Sequence, residues 1–297
     1  MKNWLLFGCL IGGLTLVMAC MNDGQQGVLG NDSSSEHIDS IDYELVMGID
    51  TPIYSIHKHI KLGDGSTDYS KQDVTKVSIT YPKIDSFSKE SVKTTINRII
   101  RTTLLKNVAD EVAFESIEQR LDEFIQDYEE HKTDMKEFGL PVSSSWFFEL
   151  TVEVLLNSPD IMALRIHQLE FTGGAHANPS TSYLNLDLKS GAVLKLSDVL
   201  HGNYEAELLA IAELQFKKSA NLDADTNLME THYEFNEGHF VLPNNFCVGR
   251  KGIHFYYNPY DLGPFALGFI AFEIPYQQLK KLINPAVLKI QPISTKN

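Results

Sequence analysis

The segment with the clearest potential for chemistry is a loop that combines two glycines with a histidine. Gly173 and Gly174 are consecutive, and His176 follows two residues later, near the hydroxyl groups of residues 180–182. Glycine adopts positive φ without steric cost, so the pair predicts a sharply bent backbone that presents the imidazole. His176, either Ser180 or Ser182, and Asp187 would be the elements of a nucleophilic triad. The Gly-x-Ser-x-Gly elbow is absent, however, and we assign no catalytic residue.

A second segment, residues 252–268, supplies aromatic rings that carry hydroxyl groups. A strand pattern ending at Tyr257 leads into the turn Asn258-Pro259-Tyr260-Asp261, and Phe265 follows. Such rings suit stacking on sugars or anchoring of a protein partner. Alternatively, a tyrosine locks the turn in the manner of a tyrosine corner. The predicted ligand-binding residues of the two segments are Gly173, Gly174, His176, Tyr257, Tyr260 and Asp261.

Three further features are better explained by structure than by metal binding or catalysis. His57 and His59 form a His-x-His pair, but no neighbouring residue completes a ligand set. The acidic segment 115–130 lacks the spacing of a calcium loop and is typical of a solvated helix face. Cys247 is flanked by apolar residues and predicts core packing. We therefore predict no metal and no cofactor.

The hydrophobic pattern predicts an α+β fold in which an antiparallel β-sheet packs against α-helices. Alternation predicts strands at 54–62, 77–81, 146–156 and 161–171, a hairpin at 184–196 turned at 189–191, and strands at 253–257 and 269–274. Helical spacing predicts a helix capped by Ser88, others at 117–128 and 205–218, and a closing helix from Pro275. We divide the fold into two closely associated subdomains, 44–160 and 161–290.

The N-terminus predicts export and lipidation. Residues 1–19 have the charged start and short apolar core of a signal peptide. Leu16-Val17-Met18-Ala19-Cys20 resembles a bacterial lipobox, which implies cleavage before Cys20 and attachment of acyl chains such as palmitate. Residues 20–43 are polar and predict a flexible tether. We expect a lipid-anchored protein of the bacterial cell envelope, at the outer membrane and facing the periplasm or the cell surface.

Composition narrows the choice of partners. The formal net charge of −14 argues against nucleic acid, which needs a basic footprint, and permits a cationic partner. Of the three cysteines, Cys9 leaves with the signal peptide and Cys20 becomes the anchor. Cys247 is then alone, so no disulfide within the mature domain is expected.

Several motifs together resemble a known family. They are Phe171-Thr172-Gly173-Gly174-Ala175-His176, Asp187–Gly191, Leu194–Asp198 and Phe255–Asp261. In this order they resemble the extracytoplasmic domain of the lysozyme-sensing anti-sigma factor RsiV, preceded by an N-terminal domain of the type found in PdaC peptidoglycan deacetylases. The resemblance implies an envelope module that binds a lysozyme-like muramidase or peptidoglycan. Ala177 departs from the glycine that usually follows the histidine.

The resemblance does not imply that this chain has the activities of RsiV or of the PdaC deacetylases. We find no cytoplasmic sigma-binding segment and no deacetylase domain in the sequence, so neither sigma-factor sequestration nor deacetylation is expected. We predict a non-catalytic binding module for peptidoglycan or a cationic muramidase. The alternatives are a hydrolase of envelope glycans or esters that uses the Gly-Gly-Ala-His loop, and a purely structural envelope protein.

Overall fold

The computed structural model describes residues 53–62, 73–106, 113–140 and 145–286. The predicted signal peptide, Cys20 and the tether lie outside the described residues, as do the side chains of His57 and His59. Within the described residues, no helix is both long and apolar enough to cross a membrane.

A five-stranded sheet contains the first five strands in sequence order. They are β1 (Ile53–Leu62), β2 (Asp73–Pro82), β3 (Phe147–Asn157), β4 (Ile161–Phe171) and β5 (Asn178–Asp187). The pairs β1–β2, β3–β4 and β4–β5 are antiparallel, as the sequence predicts. The pair β2–β3 is parallel, so the sheet is antiparallel except at this one pair. A parallel pair requires a crossover connection, and here two helices lie between the strands.

The two crossover helices are α1 (Glu90–Leu104) and α2 (Ile117–Glu137), and they cover one face of this sheet. Their apolar residues recur at helical spacing, so each helix buries one stripe against strand residues such as Ile79 and Leu150. Ser116 caps α2 by accepting a hydrogen bond from the backbone N–H of Gln119 at 3.0 Å. The prediction that Ser88 caps α1 is wrong: α1 has Lys89 at its N-cap, without a side-chain cap.

The second part of the fold is a three-stranded antiparallel sheet with helices. Its elements are α3 (Leu196–Val199), α4 (Glu205–Ser219), β6 (Phe246–Val248), β7 (Gly252–Tyr257), β8 (Ile270–Pro275) and α5 (Tyr276–Leu279). The aromatic rings of this core surround Phe216 of α4, which is fully buried. The α+β class with packed helices is therefore confirmed.

Two predicted elements differ from the sequence pattern. Residues 193–196 do not form a return strand: Val193 makes one isolated bridge to Leu186, and α3 begins at Leu196. The closing helix α5 ends at Leu279, although Leu282 and Ile283 are buried as the pattern requires. Apolar periodicity predicts which residues are buried, but it does not fix the backbone conformation of such short segments.

The two sheets are joined by asparagine side chains instead of a continuous strand ladder. The Asn185 amide donates to the Phe246 carbonyl at 2.9 Å and accepts from the Val248 N–H at 2.7 Å. The Asn245 carbonyl oxygen accepts from the Tyr183 N–H at 3.1 Å. The Asn185 amide thus satisfies backbone groups of β6, and the Asn245 amide satisfies backbone groups along the edge of β5 that would otherwise lack partners.

The predicted subdomain boundary between residues 160 and 161 falls between β3 and β4. These strands are hydrogen-bonded neighbours from Phe147↔Phe171 to Asn157↔Met162, so the sheet does not divide there. The sheet keeps β4 and β5 with the N-terminal strands, and the change of sheet follows β5.

Candidate functional site

The Gly-Gly-Ala-His segment forms the connection between β4 and β5. Gly173 and Gly174 have φ of +103° and +100°, values that residues with a Cβ rarely adopt. A Cβ built at either position meets no atom within 4 Å. The glycines are therefore required by backbone conformation and not by a close neighbour, and the loop they bend exposes His176.

The second predicted segment forms the start of the connection between β7 and β8, and it is fixed to β5. The Asn258 side chain accepts from the Thr181 N–H at 2.6 Å and donates to the Thr181 carbonyl at 3.1 Å. Asp261 Oδ2 in turn accepts from the Asn258 N–H at 2.7 Å and closes the turn. Tyr260, between them, has φ of +74°, a left-handed conformation that is unfavourable for a tyrosine.

These two segments converge on each other. Tyr260 Oη lies 3.2 Å from His176 Nε2, across 84 residues of sequence. The imidazole also stacks face to face on Phe265, with ring centroids 3.5 Å apart and 7° between the planes. Tyr260 and Phe265 are themselves 5.6 Å apart. We call His176, Tyr260 and Phe265 the His176 cluster.

The hydrogen bonds of His176 determine its tautomer. Its Nδ1 lies 3.0 Å from the carbonyl oxygen of Ala177, which can only accept, so Nδ1 carries a proton. In the neutral ring Nε2 is then an acceptor, and the Tyr260 hydroxyl donates to it. Both ring nitrogens are thus engaged, and the ring is fixed in orientation.

The cluster is open to solvent. Tyr260 is 57% exposed, His176 is exposed, and Phe265 is half-buried between them. A surface of this kind is accessible to a macromolecular or oligomeric ligand. It differs from the enclosed apolar pocket that surrounds a small cofactor.

Tyr257 does not belong to this surface. Its side chain is 4% exposed within the core of the second sheet, and its hydroxyl donates to the Val241 carbonyl. Burial, with a smaller contribution from Asp261, raises the pKa of Tyr257. Asp261 supports the turn through its carboxylate. Of the six predicted residues, His176 and Tyr260 make the contact, while Gly173, Gly174 and Asp261 shape the two loops.

The arrangement lacks the parts of a nucleophilic triad. Asp187 lies at the opposite end of β5, roughly 30 Å along the strand from the loop that carries His176. Burial alone would raise the pKa of Asp187, but hydrogen bonds from Ser190 Oγ at 2.6 Å and the Lys189 N–H at 3.0 Å lower it. Cys247 is 1% exposed, and burial raises its pKa to about 12, so it is not a thiolate nucleophile.

Metal binding also finds no support in the described part of the chain. Among those residues, no group of three or more histidine, cysteine, aspartate and glutamate side chains is arranged to hold a metal ion.

Sequence reasoning missed the two residues that hold the site together. Asn258 fixes the aromatic turn to β5, and the Ala177 carbonyl orients the imidazole. The Asn-Pro dipeptide indicates a turn, but no sequence signal identifies the strand that its amide binds.

These observations define a two-part α+β protein whose candidate site lies between loops of the two parts. Residues 69–179 match the family model "Deacetylase PdaC", and residues 197–277 match "Protein of unknown function (DUF3298)". The chain therefore contains a PdaC-type domain followed by a DUF3298 domain. His176 lies in the first matched segment, whereas Tyr260 and Phe265 lie in the second. The His176 cluster is thus formed jointly by the two domains.

Solved structures share this fold. A DUF3298-family protein of Bacteroides fragilis is 21% identical, with a TM-score of 0.65, over 82% of this chain and 98% of its own. A DUF3298-family protein of Pseudomonas aeruginosa is 18% identical, with a TM-score of 0.60, over 80% of this chain and 97% of its own. At these identities the likeness concerns the fold alone. Comparison with curated proteins gives no match.

Proposed function

We propose that this protein is a non-catalytic binding module of the bacterial cell envelope that binds the glycan strands of peptidoglycan through the His176 cluster. The observation that carries the proposal is the contact of His176 with Tyr260 and Phe265 on an exposed surface. Lipidation at Cys20 would hold the module at the membrane, and acyl chains in combination give a stable anchor.

The chemistry of the cluster favours a sugar. Tyr260 exposes an aromatic face and a hydroxyl group, which can stack on the apolar face of a pyranose and bond to its rim. His176 stacks on Phe265 and is therefore held in one orientation. Because the Tyr260 hydroxyl is hydrogen-bonded to this fixed ring, the tyrosine side chain loses little conformational entropy when a ligand binds.

A hydrolase is less well supported than a binding module. The hydrogen-bond partners of His176 are the Tyr260 hydroxyl and a backbone carbonyl, and not the serine and carboxylate that complete a nucleophilic triad.

A cationic muramidase is the second candidate ligand. The formal net charge of −14 favours a basic protein partner through long-range attraction. An exposed tyrosine at the centre of a contact is also a common anchor in protein interfaces. This alternative differs from glycan binding in its salt dependence, because screening weakens charge attraction and leaves ring stacking largely intact.

The test is co-sedimentation of the soluble domain with purified peptidoglycan sacculi. Tyr260→Ala should reduce the bound fraction at least tenfold, because it removes the exposed ring. Phe138→Ala is the matched control, since Phe138 is 77% exposed at the end of α2 and should be dispensable. Equal binding of wild type and Tyr260→Ala would refute the proposal.

Two parallel measurements separate the alternatives. Binding to lysozyme that disappears between 50 and 500 mM salt, without sedimentation on sacculi, would favour the muramidase. Release of sugar or ester products by wild type and not by His176→Ala would establish a hydrolase.

The anchor is tested separately in the full chain. Cys20→Ser should shift the protein from the membrane fraction to the soluble fraction and remove the acyl mass from the N-terminal peptide. Membrane retention of this variant, with the same peptide mass as wild type, would exclude lipidation.

A further inference from the structure

A second polar surface lies on the other face of the five-stranded sheet. Strand register places Arg165 between Glu153 and Tyr183, and places His167 beside Thr181. Side chains alternate along each strand, so these residues face away from α1 and α2, whose side of β3 carries Leu150 and Val152. We call Glu153, Arg165, His167, Thr181, Tyr183 and Tyr256 the polar sheet face.

The polar sheet face is a connected network that includes both domains. His167 Nδ1 lies 2.9 Å from Thr181 Oγ1, and the hydroxyl of Tyr256, from β7, is hydrogen-bonded to the same side chain. Tyr256 meets Tyr183 edge to face with centroids 6.0 Å apart, and it stacks on Phe269 at 5.4 Å. The network is therefore rigid and aromatic on its β7 side.

The charges of this face cancel. Arg165 donates to one carboxylate oxygen of Glu153 through Nη2 at 2.6 Å and Nε at 2.8 Å. Burial, and after it Arg165, lower the pKa of His167, so its ring is neutral at pH 7. Glu149, four residues before Glu153 on the same face, is exposed and lies outside this set of paired groups. The six residues of the polar sheet face therefore carry no net charge that would bind an ion, although the formal net charge of the whole chain is −14.

Hydrogen-bonding capacity nevertheless remains available. His167 is half-buried, and its Nε2 has no hydrogen-bond partner among the described residues. The Glu153 and Arg165 side chains are 40% and 22% exposed. Tyr256 is only 7% exposed, so the groups available to a ligand are the half-buried Tyr183 ring, the planar ion pair and the neutral imidazole. Together they suit an uncharged ligand with many hydroxyl groups, which is a saccharide.

The face is close to the His176 cluster. Tyr256 and Tyr260 are four residues apart, so their Cα atoms are separated by at most about 14 Å. Between them, Asn258 binds the backbone of Thr181, whose side chain is in the network. We infer that the polar sheet face is a second saccharide subsite, and that one glycan strand contacts both it and the His176 cluster. This inference rests on the proposed function and extends it.

The test is calorimetric titration with neutral β-1,4-linked N-acetylglucosamine oligomers of two to six units. In wild type the affinity should rise with length, because only longer oligomers contact both surfaces. His167→Leu should lose about tenfold in affinity for the hexamer and leave the dimer unchanged. Tyr260→Ala should weaken every length. His201→Leu, at an exposed histidine outside both surfaces, should behave as wild type.

The outcomes separate this inference from the proposed function. A length dependence in His167→Leu that matches wild type would overturn the second subsite, whereas unimpaired binding by Tyr260→Ala would overturn the His176 cluster. If His167→Leu lowers the melting temperature, the test is made instead on wild type, by the NMR signals of the His167 ring. A shift of these signals on addition of the hexamer supports the subsite, and unchanged signals overturn it.

Discussion

Among single residues of the candidate site, Tyr260 has the least favourable backbone. Its φ of +74° would suit glycine, yet a tyrosine occupies the position and makes the contact with His176. Strain of this kind is often retained where a side chain has a function, and the hydrogen bonds of Asn258 and Asp261 hold the turn against it.

Two substitutions of Tyr260 distinguish the effect of backbone strain from the effect of losing the aromatic ring. Tyr260→Ala and Tyr260→Gly both remove the ring, but only glycine relieves the left-handed conformation. We expect Tyr260→Gly to be more stable than Tyr260→Ala by about 1 kcal/mol in urea unfolding, with equal loss of sacculus binding. Equal stability of the two variants would show that the turn carries no strain.

Cys247 allows a second prediction for a single residue. Burial raises its pKa to about 12, so in the folded protein it should not react with a thiol reagent at pH 8. We expect labelling only after unfolding in urea, in a variant whose Cys9 and Cys20 are replaced by serine. Labelling of the folded protein at the rate of the unfolded chain would contradict the burial of this thiol.

At the scale of elements, the asparagine junction between β5 and β6 depends on one side chain, that of Asn185. Asn185 is 2% exposed and satisfies two backbone groups of β6. Asn185→Ala would leave the Phe246 carbonyl and the Val248 N–H buried without partners, at a cost of about 2–3 kcal/mol. Asn178→Ala, at the exposed start of β5, is the control and should change stability by less than about 0.5 kcal/mol. Urea unfolding measures both, and equal effects would contradict the proposed role of the junction.

The sequence predicts individual helices and strands better than it predicts which strands pair and in which direction. The pattern of residues 161–171 predicts β4 with its observed ends, and the apolar stripe of α2 is buried as expected. By contrast, no pattern within β2 or β3 shows that they run parallel, because both strands have the same alternation in either direction. The predicted strand at 193–196 fails for a related reason: Val193 is 43% exposed, so its hydrophobicity does not report burial.

The same limit applies to the site. His176 and Tyr260 were each predictable from residue type and local turn chemistry, and their contact was not, because it joins two loops through the fold of both domains. The placement of Tyr257 in the core also follows from the strand: it shares a side of β7 with Ile253 and Phe255, which are fully buried. The predicted PdaC-type domain is confirmed by the family model, while the resemblance to RsiV stays a prediction.

At the scale of the whole molecule, two partly buried histidines couple folding to pH. Burial lowers the pKa of His167, with Arg165 adding to the effect and Glu153 and Glu149 opposing it. Burial also lowers the pKa of His254, against the opposing effect of Glu273, whose carboxylate lies 3.9 Å away. Both rings are therefore harder to protonate in the folded chain than in the unfolded one, whose histidines titrate near pH 6.5.

The sign of the pH effect follows from this difference. Below about pH 6.5 the unfolded chain binds protons that the folded chain does not yet bind, so the free energy of unfolding falls as the pH falls. Each histidine contributes a slope of at most about 1.4 kcal/mol per pH unit in this window, and the stabilisation is complete above it. We expect the double variant His167→Gln, His254→Gln to flatten the dependence between pH 6.5 and 5 in urea unfolding. His201→Gln, at an exposed loop position, should retain the wild-type slope. A double variant that follows the wild-type curve would locate the pH dependence in the carboxylates instead.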